Sequence, residues 1–215
     1  DAPVLAAHGE FGIGVRTVEM VHAGQPDVLT GGGATYDRPL TVEVWYPADL
    51  KGAAPGGDYT NVQMANSDQK ITLHGQAVRD AEPLKARGPY PLVILSHGYP
   101  GNRFLISHFG ENLASKGYVV ASIDHFESTY ENRLGFASTL ANRSPDQLFV
   151  LDSVAKLSAQ SEGFLSGLVD AENSAVIGYS MGGYGAVLTA GAGLAEAANS
   201  TGLAPIEALA GLMAG

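Results

Sequence analysis

The 215-residue sequence contains no cysteine. A disulfide framework, a thiolate nucleophile and a cysteine-ligated metal site are therefore excluded. Positive charge is also scarce: 12 Lys and Arg stand against 22 Asp and Glu, a formal net charge of -10 without any dense basic block. That balance argues against nucleic acid and anionic membrane surfaces, which are bound chiefly by neutralising phosphate, and favours a neutral substrate. No apolar run reaches the roughly 18 residues of a membrane-spanning helix. The N-terminus lacks the charged-then-apolar pattern of a signal peptide and opens at Asp1 without methionine, which suits a processed start and an expected secreted or periplasmic location.

What is present is the composition of one globular domain, 45% hydrophobic and 16% charged, large enough for a substantial core. Residues 14–21 (GVRTVEMV) and 40–46 (LTVEVWY) alternate apolar and polar with β-branched enrichment, as half-buried, antiparallel strands do. Residues 47–89 read as a long loop with one strand near Lys70 to Leu73. From Tyr90 the pattern changes. Leu92-Val93-Ile94-Leu95 is continuously apolar, as expected of a strand covered on both faces, and a helix is predicted from Arg103 to Lys116. A strand follows at Tyr118 to Ile123. Ser144-Pro145-Asp146 has the form of a helix start, with a cap, a proline at the first position and an acid in the first turn. That helix is expected to run to Gln160. A last strand, Ala175 to Ile177, leads into a small-residue helix from Met181 to Ala190. Strands alternating with helices imply a parallel sheet of βαβ units.

The most informative stretch is Gly178-Tyr179-Ser180-Met181-Gly182-Gly183. A serine flanked by glycines at a strand-to-helix junction is lifted on a tight turn, with the N-terminus of the next helix aimed at it. Alone, the pattern also fits an ordinary βα turn. Upstream, Ser96-His97-Gly98-Tyr99-Pro100-Gly101 follows one strand and precedes one helix, the place where this architecture carries a second oxyanion donor. Two backbone N–H groups must converge on a developing oxyanion, and Pro100 has none, which leaves Tyr99 and Met181.

The segment LSHGYPGNRFLISHFGENLASKGYVVASIDHFESTY, with GYSMGG from Gly178, resembles the α/β-hydrolase family that includes secreted platelet-activating-factor acetylhydrolase and bacterial dienelactone-hydrolase-like esterases. The likeness covers residues 88–190; VWYP at Val44 to Pro47 is similar but weaker, and residues 51–87 match no named pattern. It implies an α/β-hydrolase fold with a mostly parallel central sheet, antiparallel N-terminal strands, Ser180 as nucleophile, and Tyr99 and Met181 at the oxyanion hole. Tyr179 stands where many relatives carry histidine, and the serine replaces the cysteine of true dienelactone hydrolases, which favours ester hydrolysis. The loop tyrosine with Ser-Met-Gly-Gly is also similar to cutinase-type polyester hydrolases. His125, Phe126 and Tyr130 are the residues expected at the substrate rim, His125 either there or behind it.

The expected base is missing. All six histidines, His8, His22, His74, His97, His108 and His125, precede Ser180, whereas the family's order is Ser, then Asp or Glu, then His. Downstream the only acids are Glu196 and Glu207. The chain is therefore expected to be the N-terminal part of a hydrolase domain: strands and a long loop to residue 87, oxyanion loop to nucleophile helix over 88–190, and the start of a cap or insertion over 191–215. The triad acid and histidine would come from a further segment or companion polypeptide, of the order of 100 residues by the usual size of such domains. No cofactor or metal is expected, since no histidine pair has metal-ligand spacing. The alternatives are a non-catalytic binding subunit, a polyester hydrolase and an acyltransferase.

Overall fold

The structure, a computed structural model, describes residues 3–30 and 32–192. After a short helix α1 (Pro3–Ala6), two long strands, β1 (Gly12–Pro26) and β2 (Thr35–Asp49), form an antiparallel hairpin whose register runs from Gly12 opposite Ala48 to Pro26 opposite Thr35. Next come β3 (Gly57–Gln63), β4 (Lys70–Gly75), the two-residue strands β5 (Val78–Arg79) and β6 (Glu82–Pro83), and β7 (Tyr90–Ser96). Helix α2 (Ser107–Ala114), strand β8 (Val119–Asp124), helix α3 (Phe136–Ala159), strand β9 (Val169–Gly178) and helix α4 (Met181–Thr189) complete the described chain.

The main sheet has the order β5-β1-β2-β8-β7-β9, with β6 joined to β2. It is antiparallel from β1 to β8 and parallel across β8, β7 and β9. The apolar run in β7 is continuous because each face of the sheet is covered. Leu92 and Ile94 join a cluster with Val42, Val44, Ala121 and the α3 residues Val150 and Val154. Val93 and Leu95 face the opposite cluster, with Trp45, Val120, Phe104 and Ala114. Among the described residues β9 pairs only with β7, which places the strand leading to Ser180 at the sheet's edge.

Helix α2 is shorter than the expected 103–116 and β9 longer than the expected 175–177, and the structure departs further from the sequence expectations in two places. Residues 47–89 are not mainly loop: β3 and β4 form a separate two-stranded sheet. It is anchored where the buried Trp45 Nε1–H donates to the Tyr59 hydroxyl (2.7 Å), which donates in turn to Glu111 Oε1 (2.5 Å). Those partners lie 14 and 52 residues apart, beyond the reach of local pattern. The other departure concerns α3, which begins at Phe136 after Gly135, so that Ser144-Pro145-Asp146 lies inside the helix. The proline sacrifices a backbone bond there. Asp146 is fully buried and takes a two-pronged contact from Arg38, a long-range pairing that overrides the local start signal. The expected cap or insertion lies, from residue 193 on, outside the described residues.

Candidate active site

Ser180 sits at the turn between β9 and α4 with φ 52° and ψ -117°, a left-handed conformation in which a residue with a Cβ is strained. The turn is held because its neighbours are glycine. A Cβ at Gly178 would overlap the backbone of Gly182 and Gly183, and one at Gly182 would overlap the carbonyl of Ser96 on the adjacent strand. The Tyr179 N–H donates to that Ser96 carbonyl (3.0 Å), and the Ser180 carbonyl accepts from Gly183 N–H (2.8 Å) and Tyr184 N–H (3.2 Å). Ser180 is exposed, and among the described residues its hydroxyl has no hydrogen-bond partner.

The loop after β7 closes on this turn: a Cβ at Gly98 would be 3.3 Å from Cβ of Ser180. Met181 is the first residue of α4, where a helix leaves its N–H groups free, and the Tyr99 N–H likewise has no acceptor among the described residues. The structure thus brings Ser180, Met181 and the Gly98–Tyr99 peptide together. The Tyr99 ring packs edge-on against Phe136 (5.1 Å between centroids), and its hydroxyl donates to the Leu134 carbonyl (2.7 Å).

The expected rim is corrected in part. His125 is an interior residue, 1% exposed, and forms no part of a rim. Phe126 is half-buried against the core, its ring facing the Arg38 guanidinium (5.7 Å). Tyr130 lines a polar cleft with Gln63, Pro100, Glu131 and Arg133. The exposed apolar groups beside the serine and its loop are instead Tyr179, Leu134 and Phe136. Phe136 opens α3 and Leu134 lies two residues before it, and no motif marked either in the sequence.

Beneath the loop lies a Ser–His–Asp arrangement built on a different serine. Ser96 Oγ is 2.8 Å from His125 Nε2, and His125 Nδ1 is 2.9 Å from Asp146 Oδ2. With Asp146 as carboxylate, Nδ1 carries the proton and the Ser96 hydroxyl donates to Nε2. All three side chains are buried, which denies Ser96 any substrate. Arg38 donates to both Asp146 oxygens (2.8 and 3.0 Å) and to Glu127 (3.1 Å), and Asp146 holds its guanidinium charged against the cost of burial.

Two further α3 residues face the site from the same side as Asp146. Gln147 Nε2 donates to the Gly182 carbonyl in the first turn of α4 (3.1 Å), and Arg143 donates to Ser128 Oγ and lies 3.5 Å from the Gly98 carbonyl. Burial, partly offset by Asp146, pulls Arg143 down to about 10. The buried set of Arg38, Arg143, Glu127 and Asp146 is charge-balanced only while the nearby histidines are neutral. Burial accordingly drives His97 and His125 well below the usual histidine value, with Arg143 adding to the effect on both. None of the other histidines reaches the serine: His22 stacks on Phe149 (4.1 Å) and His74 pairs with Asp58 (2.7 Å). Among the described residues no group of three or more His, Asp or Glu side chains is arranged to hold a metal ion.

Comparison with known proteins places the chain in a family. The model of the PET hydrolase-like family matches residues 59–209, more than half of the chain. Platelet-activating factor acetylhydrolase of Cavia porcellus is 32% identical over 78 residues, 36% of this chain and 18% of that protein. The protein of the same name from Canis lupus familiaris is 36% identical over 66 residues, 29% of this chain and 15% of its own length. Among solved structures, a ferulic acid esterase from Streptomyces cinnamoneus superposes with a TM-score of 0.64 at 27% identity, over 86% of this chain and 57% of that one. The chain thus spans under a fifth of these curated relatives and little more than half of the esterase. With its mixed sheet, strained serine turn and facing loop, the chain belongs to the PET hydrolase-like family and has the α/β-hydrolase fold.

Proposed function

We propose that the chain carries the nucleophile and oxyanion hole of a serine carboxylic ester hydrolase. The observation that carries this reading is the left-handed, exposed Ser180 at the start of α4, with the Gly98–Tyr99 peptide against it. Ser180 Oγ attacks the ester carbonyl as a base removes its proton, and the N–H groups of Tyr99 and Met181 hold the resulting oxyanion. Collapse expels the alcohol, which takes up that proton, and leaves an acyl-enzyme. Water then attacks, releasing the carboxylic acid and restoring the serine.

The base and its orienting acid are assigned to chain beyond Gly215 or to a companion polypeptide of the same precursor. Two observations support this: no described histidine is hydrogen-bonded to Ser180, and among the described residues the outer edge of β9 is unpaired, where a further strand would pair. A neutral ester with an apolar or aromatic part, small or polymeric, suits the exposed Tyr179, Leu134 and Phe136. No described helix is long and apolar enough to cross a membrane, and a secreted or periplasmic location belongs to the same reading.

In the full-length protein, Ser180→Ala is expected to abolish hydrolysis of a p-nitrophenyl ester and labelling by an aromatic phosphonate. Wild-type-like hydrolysis by that variant would overturn the assignment. The absence of a described base also favours, as second reading, a non-catalytic binding subunit. Failure of the wild type to react with the phosphonate would put that reading first. Product analysis with water and an alcohol in competition separates hydrolysis from acyl transfer.

A further inference from the structure

The loop that faces Ser180 is tied down by one carbonyl. His97, fully buried, has Nδ1 2.6 Å from the Gly98 carbonyl oxygen, and Arg143 Nη2 approaches the same oxygen at 3.5 Å. That carbonyl and the Tyr99 N–H belong to a single peptide unit. Because the unit is planar with its C=O and N–H pointing in opposite directions, fixing the carbonyl inward turns the Tyr99 N–H outward, toward the serine side.

The protonation of His97 is set by a neighbour. The His125 backbone N–H donates to His97 Nε2 (3.2 Å), which requires that nitrogen to be bare and leaves the proton on Nδ1, where it can donate to Gly98. The His125 side chain is held in turn between Ser96 and Asp146, so the edge-on packing of the His97 and His125 rings (5.2 Å between centroids) has little freedom. Gly101 is small for the same reason: a Cβ there would lie 2.6 Å from His97 Nδ1.

We infer that His97, as its Nδ1–H form and assisted by Arg143, is a positioning residue that orients the Gly98–Tyr99 peptide and so sets the oxyanion hole. The buried Ser96–His125–Asp146 relay serves this clamp rather than any chemistry of its own. The inference rests on the ester-hydrolase reading above.

The test compares two near-isosteric variants of the full-length enzyme. His97→Leu fills the space without a donor, and His97→Asn returns an amide N–H near the Nδ1 position. Loss of an oxyanion donor lowers kcat on the order of a hundredfold, so His97→Leu is expected to lower kcat at least about tenfold with KM nearly unchanged, and His97→Asn to recover most of it. A fully active His97→Leu, or a His97→Asn as impaired as the leucine variant, would overturn the inference. If neither variant folds, imidazole 15N spectra of the wild type decide it: protonated Nδ1 is expected, and an Nε2–H form is incompatible with the clamp. Should Ser180→Ala remain active, the ester-hydrolase reading fails separately; Ser180-dependent activity together with unimpaired His97→Leu refutes the clamp alone.

Discussion

Acidification from pH 7 to pH 5 should destabilise this fold through two buried histidines. His97 and His125 are held well below the ordinary histidine value by burial, so the native state keeps both neutral while the unfolded chain protonates them. In that window the unfolded state binds more protons, and stability falls as pH falls. A histidine that stays neutral when folded and titrates near 6.5 when unfolded loses about 2 kcal/mol of stabilisation over those two pH units, and the pair about 4 kcal/mol. The loss begins near the unfolded value and continues until the folded groups take up protons. Asp124 and Asp146, whose carboxyls burial pushes up, work in the opposite direction at low pH. The assay is urea denaturation of the full-length protein at pH 7, 6 and 5, read beside the imidazole resonances of the native state. Native resonances of His97 or His125 that titrate near 6.5 would refute the reasoning, as would a stability that rises between pH 7 and pH 5.

Two substitutions probe the scaffold of the site directly. Gly182→Ala would drive a methyl group into the Ser96 carbonyl on β7, where only backbone could yield, and should cost about 3 kcal/mol, the upper end for overpacking, and most activity; an unchanged melting temperature and rate would contradict the packing described. Asp146→Asn leaves one carbonyl oxygen to meet donors from Arg38 Nε, Arg38 Nη2 and His125 Nδ1, and adds an uncompensated buried positive charge. Breaking such a pair typically costs about 3–5 kcal/mol, so a loss below about 1 kcal/mol in chemical denaturation would show that the network is not held as described.

Part of the site was legible because its chemistry is local. Gly178 and Gly182, flanking Ser180 at a strand-to-helix junction, mark a tight turn because a Cβ at either would collide with backbone, and the matching loop at Ser96 to Gly101 removes the ambiguity of the spacing alone. The Ser96 to Gly101 stretch is similarly marked by its place between an apolar strand and a helix. The covered strand β7 could be read from Leu92 to Leu95 because burial on both faces demands an unbroken apolar run. Other parts were not legible, and for a common reason. Asp146 has the local form of a helix start, yet Arg38, 108 residues away, takes it into the interior and makes it part of a longer helix. His125 follows a strand end, as rim residues do, but Asp146 and Ser96 turn it inward. Tyr59 acquires its role only when Trp45 and Glu111 close around its hydroxyl. The backbone requirements of the serine turn are written within six consecutive residues, so the sequence by itself determined where that turn stands, between β9 and α4. Which charges are buried, which histidine braces which carbonyl and which aromatic rings reach solvent depend on partners distant along the chain, and those only the tertiary structure decided.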